Sequence, residues 1–418
     1  MNSNKKGGYD YKFKLGGNNM ISVGVDVSKG KSAICIIKPY GEVLEKPYEL
    51  EHTKIGLRKL ADLIFKYDEE VRVVLEATGA YHLPVLNYLQ RYGIFVSVIN
   101  PLVMKKYSSI SIRKGKTDKM DAIKIANYGI DNWTRLACYQ ASGETYEELN
   151  TLTRQYSQYV SMKIKSKITL VNLLDKTMPR ITKLLKNAEN TNKDKLNAFT
   201  KEFWHYDNIT KSTEKQFIVR YLKWAKREGY HQNDAKAKAI YNLASQGIPT
   251  LSSNYHSTKM IVLEAVRVLR EISKTLSIIL TQMQSLSKGL KEYSIVREMG
   301  GVGEKLAPRI IGCIGDARRF HSAKALIAYA GIDAPPYQSG AFDGTKRHIS
   351  KRGSAYLRKT GYEIMKSVKV VKPTDDAAVY QFILKKEAEG KPKKVAKIAG
   401  LNKFLRIYYA RVNEVYNT

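Results

Sequence analysis

The chain is poor in cysteine, and its few cysteines are widely separated. Three occur in 418 residues, at Cys35, Cys138 and Cys313. This odd number gives no disulfide framework, and the lack of paired spacing gives no zinc finger. We therefore expect ordinary buried thiols in a reducing compartment.

Long apolar runs are also absent from the sequence. No segment approaches the length that crosses a bilayer, and the stretch from Asn2 to Gly17 is polar and rich in lysine and glycine, unlike a signal peptide. Residues 1–18 are predicted to form a disordered basic arm. The sequence thus predicts an intracellular protein with no membrane partner.

Acidic residues are scarce relative to basic ones. The chain has 39 Asp and Glu against 71 Lys and Arg, a formal net charge of +32. Such an excess attracts polyanions and speeds their encounter with the protein. A basic surface for DNA or RNA is therefore predicted, although the sequence contains no zinc finger and no convincing recognition helix.

Two of the acids stand where predicted strands end. Asp26 closes an alternating, β-branched run that begins at Ile21, and the run Ser32–Ile37 is predicted to pair with it as a hairpin. A third run, Val71–Leu75, leads directly into Glu76. Side chains at strand ends converge on one rim of a sheet, so we expect these two carboxylates to lie close together.

Two further acids open a predicted helix. Asp118 and Asp121 are three residues apart and share a helical face, where like charges repel unless positive charge lies between them. One interpretation is a metal pair held together with Asp26 and Glu76. The alternative is an ordinary solvated helix start capped by Thr117 or Asp118.

Carboxylates in this arrangement are typical ligands of Mg²⁺, which prefers hard oxygen donors. A pair of such ions clamps the attacking and leaving oxygens of an in-line phosphoryl displacement. The sequence therefore predicts a two-metal site for phosphodiester chemistry, with Mg²⁺ as the expected ion and Mn²⁺ as a substitute.

The order of these acids on strand, strand and helix resembles the DEDD insertion-sequence transposases. The segment Lys116–Ala122 is close to the family's lysine-threonine-aspartate signature. The resemblance implies an α/β, ribonuclease H-like domain over residues 19–142, akin to the Holliday-junction resolvase RuvC. It also implies the site residues: the catalytic metal ligands Asp26, Glu76, Asp118 and Asp121, and the nucleic-acid contact Lys116.

A second motif set resembles the serine transposase domain of the same family. Tyr337–Gly340, Ile349–Gly353 and Tyr356–Arg358 follow one another in the family's order. The serine of the Ser-Gly pair is the family's nucleophile, which implies that Ser339 is catalytic. By its Gly/Pro content alone, this segment is predicted to be an exposed loop. The predicted phosphate contacts around it are Arg347, Lys351, Arg352 and Arg358.

A serine nucleophile would allow the strands to be rejoined. Attack by water loses the phosphodiester energy and leaves the DNA cut, whereas a phosphoserine bond keeps that energy for joining to another strand. No histidine or glutamate stands beside Ser339 at convincing spacing. Bound metal is therefore predicted to assist its deprotonation.

Long helices are predicted to connect the two ends of the chain. Apolar residues recur at helical spacing over 144–184 and over 258–290, with a Lys-, Asn- and Thr-rich helical insert at 185–255. Paired, the long helices would form an antiparallel coiled coil or a helical hairpin. This predicts a connector over 143–290 and a helical C-terminal domain over 291–418.

A glycine-rich turn opens the C-terminal domain. Gly301 and Gly303 lie between an apolar helix end and a new helix, a pattern typical of a helix-hairpin-helix that binds phosphate through backbone N–H groups. Gly301, Gly303 and Lys305 are the predicted nucleic-acid contacts here. A plain helix–helix connection is the alternative.

The resemblance also implies partners that composition does not show. These are donor and target DNA duplexes, a non-coding bridge RNA that pairs with both as a guide, and a homodimer or dimer of dimers that completes the active site in trans. The expected location is the prokaryotic cytoplasm, at the nucleoid. Three alternatives remain: a site-specific DNA invertase without guide RNA, a Holliday-junction-type metal-dependent endonuclease that uses the four acids alone, and a catalytically inactive binding protein.

Overall fold

The computed structural model describes residues 20–109, 117–140, 143–185, 194–335, 338–339, 342–343 and 348–418. The predicted basic arm (1–18) and the predicted contacts Lys116 and Arg347 lie outside these residues. The chain divides into two compact units at Ala141. All three cysteines are free thiols; Cys35 and Cys313 are buried, as expected, whereas Cys138 is half-buried.

A mixed five-stranded sheet forms the centre of the first unit. Its strands are β1 (Met20–Val27), β2 (Lys31–Ile37), β3 (Val43–Glu51), β4 (Glu70–Glu76) and β5 (Val96–Ile99), in the spatial order β3-β2-β1-β4-β5. β1 and β2 form the predicted antiparallel hairpin, β4 runs parallel to β1, and β5 runs parallel to β4. This confirms the predicted ribonuclease H-like mixed sheet.

Helices cover both faces of this sheet. They are α1 (Lys54–Ile64), α2 (Leu83–Arg91), α3 (Pro101–Ser108) and α4 (Asp118–Asp131), with short 3₁₀ turns at Pro39–Gly41 and Trp133–Arg135. Leu60 of α1 packs in the apolar cluster on one face, and Ala122 of α4 packs with Cys35 of β2 on the other. Because β1 is covered on both sides, its residues from Ile21 to Val25 are buried whichever way they point.

The second unit is almost wholly helical. Its helices are α5 (Glu144–Thr177), α6 (Ile181–Leu184), α7 (Lys195–Glu202), α8 (Tyr206–Thr210), α9 (Glu214–Glu228), α10 (Asp234–Gln246), α11 (His256–Lys288), α12 (Tyr293–Glu298), α13 (Gly303–Ile314), α14 (Ala323–Ala330), α15 (Ala355–Val371), α16 (Ala378–Ala388) and α17 (Lys393–Asn417). A 3₁₀ turn spans Ala317–Arg319, and the short strands β6 (Gln338–Ser339) and β7 (Phe342–Asp343) lie between α14 and α15. In the part of the chain that the structure describes, no helix combines the length and apolar character of a membrane span.

The two predicted long helices are present, and the first is shorter than predicted. α5 ends at Thr177 instead of continuing to Leu184, because Met178 has left the helical conformation at φ −144° and ψ 64°. Pro179 disfavours the helical conformation in the residue before it, and its own nitrogen cannot donate a hydrogen bond. The sequence pattern continued past this break because Ile181–Leu184 forms a separate turn of helix, α6.

α5 and α11 pack against each other in antiparallel directions. Near the start of α5, the Tyr146 hydroxyl donates to Oε1 of Glu292, which follows α11, at 2.7 Å. At the other end, the Lys176 carbonyl accepts from the N–H of Thr250, which precedes α11, at 2.9 Å. The pair is therefore a helical hairpin, one of the two predicted arrangements.

The predicted insert is helical and has an aromatic core. Phe199 of α7 and Trp224 of α9 meet edge to face with ring centroids 5.6 Å apart. The same cluster takes in Leu174 of α5 and Leu269 of α11. In the C-terminal part of the unit, α12 to α17 share one core with the first turns of α5, so that the connector and the serine-bearing region are packed together.

Candidate active site

The first two candidate ligands stand at one rim of the sheet. β1 and β4 are parallel neighbours, and their register pairs Val25 with Leu75. Asp26 and Glu76 are the next residues on the two strands. Because parallel strands end at the same edge of a sheet, both acids lie at the rim formed by the ends of β1 and β4.

Both acids also face the same side of the sheet, the side that α4 covers. Asp26 shares its face with Gly24, whose Cβ position would lie 2.2 Å from the carbonyl oxygen of Ala122. Glu76 shares its face with Val74, which packs against Ile125 of α4.

The first turn of α4 approaches this rim. A Cβ at Gly129 would lie 2.1 Å from Oγ of Ser22, whereas Ala122 and Ala126 lie over Gly24, so α4 runs antiparallel to β1. Residues N-terminal to Ala122 therefore extend toward the end of β1. That turn carries the other two candidate acids, Asp118 and Asp121.

Thr117 is the cap of this helix, as one of the two interpretations anticipated. Its hydroxyl accepts from the N–H of Met120 at 3.2 Å. The carboxylates of Asp118 and Asp121 are therefore not needed for capping. Asp121 lies 2.7 Å from Nζ of Lys124, one turn along the helix, so a positive charge lies beside this carboxylate.

The donor set at this rim fits a divalent cation by its chemistry. The ends of β1 and β4 and the first turn of α4, which carry the four carboxylates, lie toward this rim, and carboxylate oxygens are hard donors. Within the described ranges, however, no three His, Cys, Asp or Glu side chains are grouped closely enough to hold an ion. The present side-chain arrangement pairs Asp121 with Lys124 instead.

Ser339 stands on a short hairpin between α14 and α15. β6 and β7 are antiparallel, and their register pairs Gln338 with Asp343 and Ser339 with Phe342. The sequence predicted an exposed loop here, and the structure adds a two-stranded turn within it. The catalytic role of Ser339 stays a prediction.

The basic residues that follow this hairpin have different environments. Lys351 and Arg352 are exposed, which suits the predicted phosphate contacts. Arg358 is half-buried, and its Nη1 donates to the carbonyl oxygens of Ala330 at 3.0 Å and Gly353 at 2.9 Å. The Nη1 donors of this guanidinium therefore bind the protein's own backbone.

The predicted glycine turn joins α12 to α13. Gly301 and Gly303 have φ values of +81° and +60°, which glycine adopts without strain. A Cβ at Gly301 would lie 2.8 Å from the backbone nitrogen of Val368 in α15, whereas the corresponding position at Gly303 is open. Lys305 is exposed in the first turn of α13. Gly303 and Lys305 are thus more accessible than Gly301 for the predicted contact with phosphate.

A carboxylate that the sequence analysis missed already binds this turn. Asp376 Oδ2 accepts from the N–H of Gly300 at 3.0 Å, and Arg411 donates to both Asp376 oxygens at 3.0 Å. Burial raises the pKa of Asp376, but the hydrogen bonds from Arg411 and Gly300 outweigh it and hold the pKa below its ordinary value of 3.8. These partners lie far apart in sequence, so no local pattern could have found them.

Comparison with known protein families finds two matching domains. A model of DEDD transposases of the IS110 type, described as "Transposase", matches residues 23–179. A second model, described as "Transposase IS116/IS110/IS902 family", matches residues 293–381. Together the two matches cover more than half of the chain.

Several curated proteins are similar over most of their length. Two are pilin gene-inverting proteins, from Moraxella lacunata (24% identical) and Moraxella bovis (25% identical); each match covers 345 residues, 82% of this chain and 80% of the relative. The insertion element IS116 uncharacterized 44.8 kDa protein of Streptomyces clavuligerus is 23% identical over 376 residues, 89% of this chain and 90% of that protein.

Among solved structures, the chain is similar to T. thermophilus RuvC in complex with Holliday junction substrate. The match has 10% sequence identity and a TM-score of 0.23. It covers 28% of this chain and 96% of that one.

Proposed function

Because this chain carries both domains of the IS110-type DEDD transposases, and so belongs to that family, we propose that it cuts and rejoins DNA strands through a phosphoserine bond to Ser339. The family makes the protein a DNA recombination enzyme. The observation that carries the proposal furthest is the convergence of β1, β4 and the first turn of α4 on one rim. Regular elements thereby bring four acids toward a single place.

Asp26, Glu76, Asp118 and Asp121 are the residues that would hold Mg²⁺, or Mn²⁺ in its place. When bound, a pair of divalent ions polarises the scissile phosphate and stabilises the attacking and leaving oxygens. The Asp121 carboxylate forms an ion pair with Lys124, and it would exchange this partner for the metal ion on binding.

Ser339 supplies the nucleophile in this proposal. Its Oγ loses a proton and bonds to phosphorus, while the bond from phosphorus to the leaving sugar oxygen breaks and that oxygen takes up a proton. A free hydroxyl of another DNA strand then attacks the phosphoserine and releases Oγ. The number of phosphodiester bonds is conserved, so that strand exchange needs no ATP. The exposed Lys351 and Arg352 bind phosphate beside the hairpin.

The nucleic-acid partners are donor and target DNA and a guide RNA. The net charge of +32 supports a polyanion-binding surface larger than one duplex needs. The family suggests that a bridge RNA reads both DNA sequences, at the nucleoid of the prokaryotic cytoplasm. This would spare the protein a recognition helix of its own.

We expect the active enzyme to be a dimer or a dimer of dimers, in which the serine of one subunit meets the acids of another. The exposed apolar side chains on the middle of α5 support association: Ile164 is 54% and Ile168 55% exposed. Light scattering of the protein with and without DNA tests this assembly. A monomer at all concentrations would contradict it.

A site-specific DNA invertase without guide RNA is the second candidate. It is favoured by the names of the two Moraxella relatives, which are called pilin gene-inverting proteins. Sequencing the nucleic acid that co-purifies with the protein separates the two functions. A single structured RNA supports the guided transposase, whereas its absence from active protein supports the invertase.

Trapping of the covalent intermediate tests the proposed chemistry. The protein, with its co-purified nucleic acid, is incubated with Mg²⁺ and a supercoiled plasmid that carries the gene and its native flanks. Denaturing electrophoresis and peptide mapping should find DNA attached to Ser339. If Ser339→Ala cuts with full activity, the four acids act alone, as in a metal-dependent endonuclease.

A further inference from the structure

The chain that leaves α14 and the chain that enters α15 are bonded to each other along their backbones. The N–H of Ser350 donates to the carbonyl of Asp333 at 2.8 Å, and the N–H of Lys351 donates to the carbonyl of Gly331 at 3.0 Å. The N–H of Ser354 donates to the carbonyl of Tyr329 at 2.6 Å. Three consecutive contacts thus join the residues on either side of the hairpin that carries Ser339.

Side chains close the same junction at the point nearest the hairpin. The Ser350 hydroxyl donates to Oδ1 of Asp333 at 2.5 Å and accepts from the N–H of Arg352 at 3.4 Å. Asp333 therefore receives both the backbone N–H and the hydroxyl of one residue, so the chain segments before and after the hairpin are joined at Asp333 and Ser350.

Arg358 crosses the junction from the first turn of α15. Its Nη1 bridges the carbonyls of Ala330, which ends α14, and Gly353, which precedes α15. The two segments are too close for any side chain between them, since a Cβ at Gly353 would lie 2.0 Å from the carbonyl oxygen of Tyr329. The junction is therefore packed backbone against backbone, and Lys351 and Arg352 are exposed at its surface.

We propose that Asp333, Ser350 and Arg358 are positioning residues of the reaction, which together form a clamp that fixes the direction in which the Ser339 hairpin leaves the domain. This inference rests on the proposed role of Ser339. Rates of covalent catalysis fall steeply when a nucleophile is displaced by about 1 Å, by up to about 10²-fold. A hairpin with only one short pair of strands cannot orient itself, because two-stranded ribbons are marginal alone.

Asp333→Ala and Ser350→Ala test the clamp without touching the nucleophile. We expect each to slow formation of the Ser339–DNA adduct about 10- to 100-fold on the plasmid described above, with DNA affinity unchanged. The double variant should be no slower than Ser350→Ala alone, because the hydrogen bond between the Asp333 and Ser350 side chains is already lost in either single variant. Ser350→Thr keeps the hydroxyl and should restore most of the rate.

Ser322→Ala is the matched control at the opposite end of α14. The Ser322 hydroxyl accepts from the N–H of Ala325 at 3.2 Å, a helix cap that lies outside the clamp. The control should lower the melting temperature at least as much as Asp333→Ala, yet leave the adduct rate at the wild-type value. Hydrogen exchange over residues 334–349 should accelerate in Asp333→Ala and not in the control.

Two outcomes overturn the clamp. One is an adduct rate in Asp333→Ala equal to that of wild type, and the other is a rate that falls equally in Ser322→Ala, which would make the effect one of stability. The proposed function fails differently: wild-type protein forms no adduct, or Ser339→Ala still exchanges strands. In that case faster hydrogen exchange in Asp333→Ala would still show that the clamp restrains the hairpin, but the clamp would have no role in the reaction.

Discussion

The candidate metal ligands lie on regular secondary structure, whereas the candidate nucleophile lies on a short hairpin. Asp26 is the last residue but one of a regular strand, Glu76 is the last residue of another, and Asp121 lies in the first turn of a regular helix. Ser339 stands on a strand of two residues whose flanks are tied together by bonds between chain segments that are separated in sequence. In a regular strand or helix, the repeated backbone hydrogen bonds fix the position of each side chain. The short hairpin lacks such a series of bonds and depends on the contacts between the segments that flank it.

The largest effect is expected at the acids. Asp26→Asn and Asp121→Asn should each lower DNA strand cleavage by at least about 10³-fold, because each removes the charge of a proposed metal ligand while keeping the shape of the side chain. DNA binding, measured by fluorescence anisotropy, should stay within about twofold of wild type.

Asp62→Asn is the control for these variants, since Asp62 pairs with Arg58 at 2.8 Å on the exposed surface of α1. It should cleave like wild type. A loss of DNA binding that matches the loss of cleavage would mean that the acids at the rim are structural.

Gly24→Ala should disturb the rim without changing any charge. The added methyl group would overlap the backbone of α4, at 2.2 Å from the Ala122 carbonyl oxygen, and overpacking of this kind costs about 1–3 kcal/mol of unfolding free energy. Urea denaturation measures the cost, and cleavage should fall with it.

The control for this variant is Gly143→Ala, where the new methyl group would lie 3.8 Å from a Tyr146 ring carbon. We expect a change in unfolding free energy within about 0.5 kcal/mol. Equal stability of the two variants would show that α4 can shift away from the strand.

Asp376→Asn should destabilise the glycine turn in a pH-dependent way. The pKa of Asp376 is lowered in the folded protein, so its ionised form stabilises the fold above the ordinary value of 3.8, and this contribution is lost as the pH falls through the lower folded value. At pH 7 the variant should lose about 1–2 kcal/mol of unfolding free energy. The difference from wild type should shrink below pH 3.8.

Asp375→Asn serves as the control, because Asp375 is exposed beside Asp376 and accepts a hydrogen bond from the hydroxyl of the neighbouring Thr374. Thermal unfolding from pH 3 to pH 7 compares the variants. A constant difference between Asp376→Asn and wild type across this range would contradict the stabilising role of the charge.

The smallest effect is expected at the exposed basic residues. Lys351→Ala and Arg352→Ala should each weaken DNA binding a few-fold, and each should reduce the slope of log affinity against log salt by about 1, because each removes one phosphate contact. Lys59→Ala, on the exposed surface of α1, should leave the slope unchanged. A slope that is unaltered in all three variants would remove these residues from the interface.

The sequence was sufficient for the elements that follow simple periods. The β1–β2 hairpin, the strand that ends at Glu76 and the helix that begins at Asp118 all appear where the sequence predicted them. Of the two residues considered as its cap, Thr117 is the one that caps the helix. The end of α5 was predicted too late, because apolar spacing resumed in α6 after the break at Met178.

Contacts between distant segments could not be predicted. Arg358 was assigned to nucleic acid from its charge and motif, and only the fold shows that it also bonds the carbonyls of Ala330 and Gly353. The pairing of Asp376 with Gly300 and Arg411 likewise has no local signal. Gly24 did have one, since glycine within a β-branched strand is typical of a close backbone approach.

The bare backbone of Gly24 has a consequence for how such a site can be altered. The backbones of α4 and β1 are already in contact at Gly24, which has no side chain that a mutation could shorten. The distance between α4 and the sheet therefore cannot be reduced. Substitutions in the core cannot bring the two aspartates of α4 nearer to the ends of β1 and β4. A redesign that needs a different spacing between the carboxylates must lengthen a strand or rotate the helix by inserting residues.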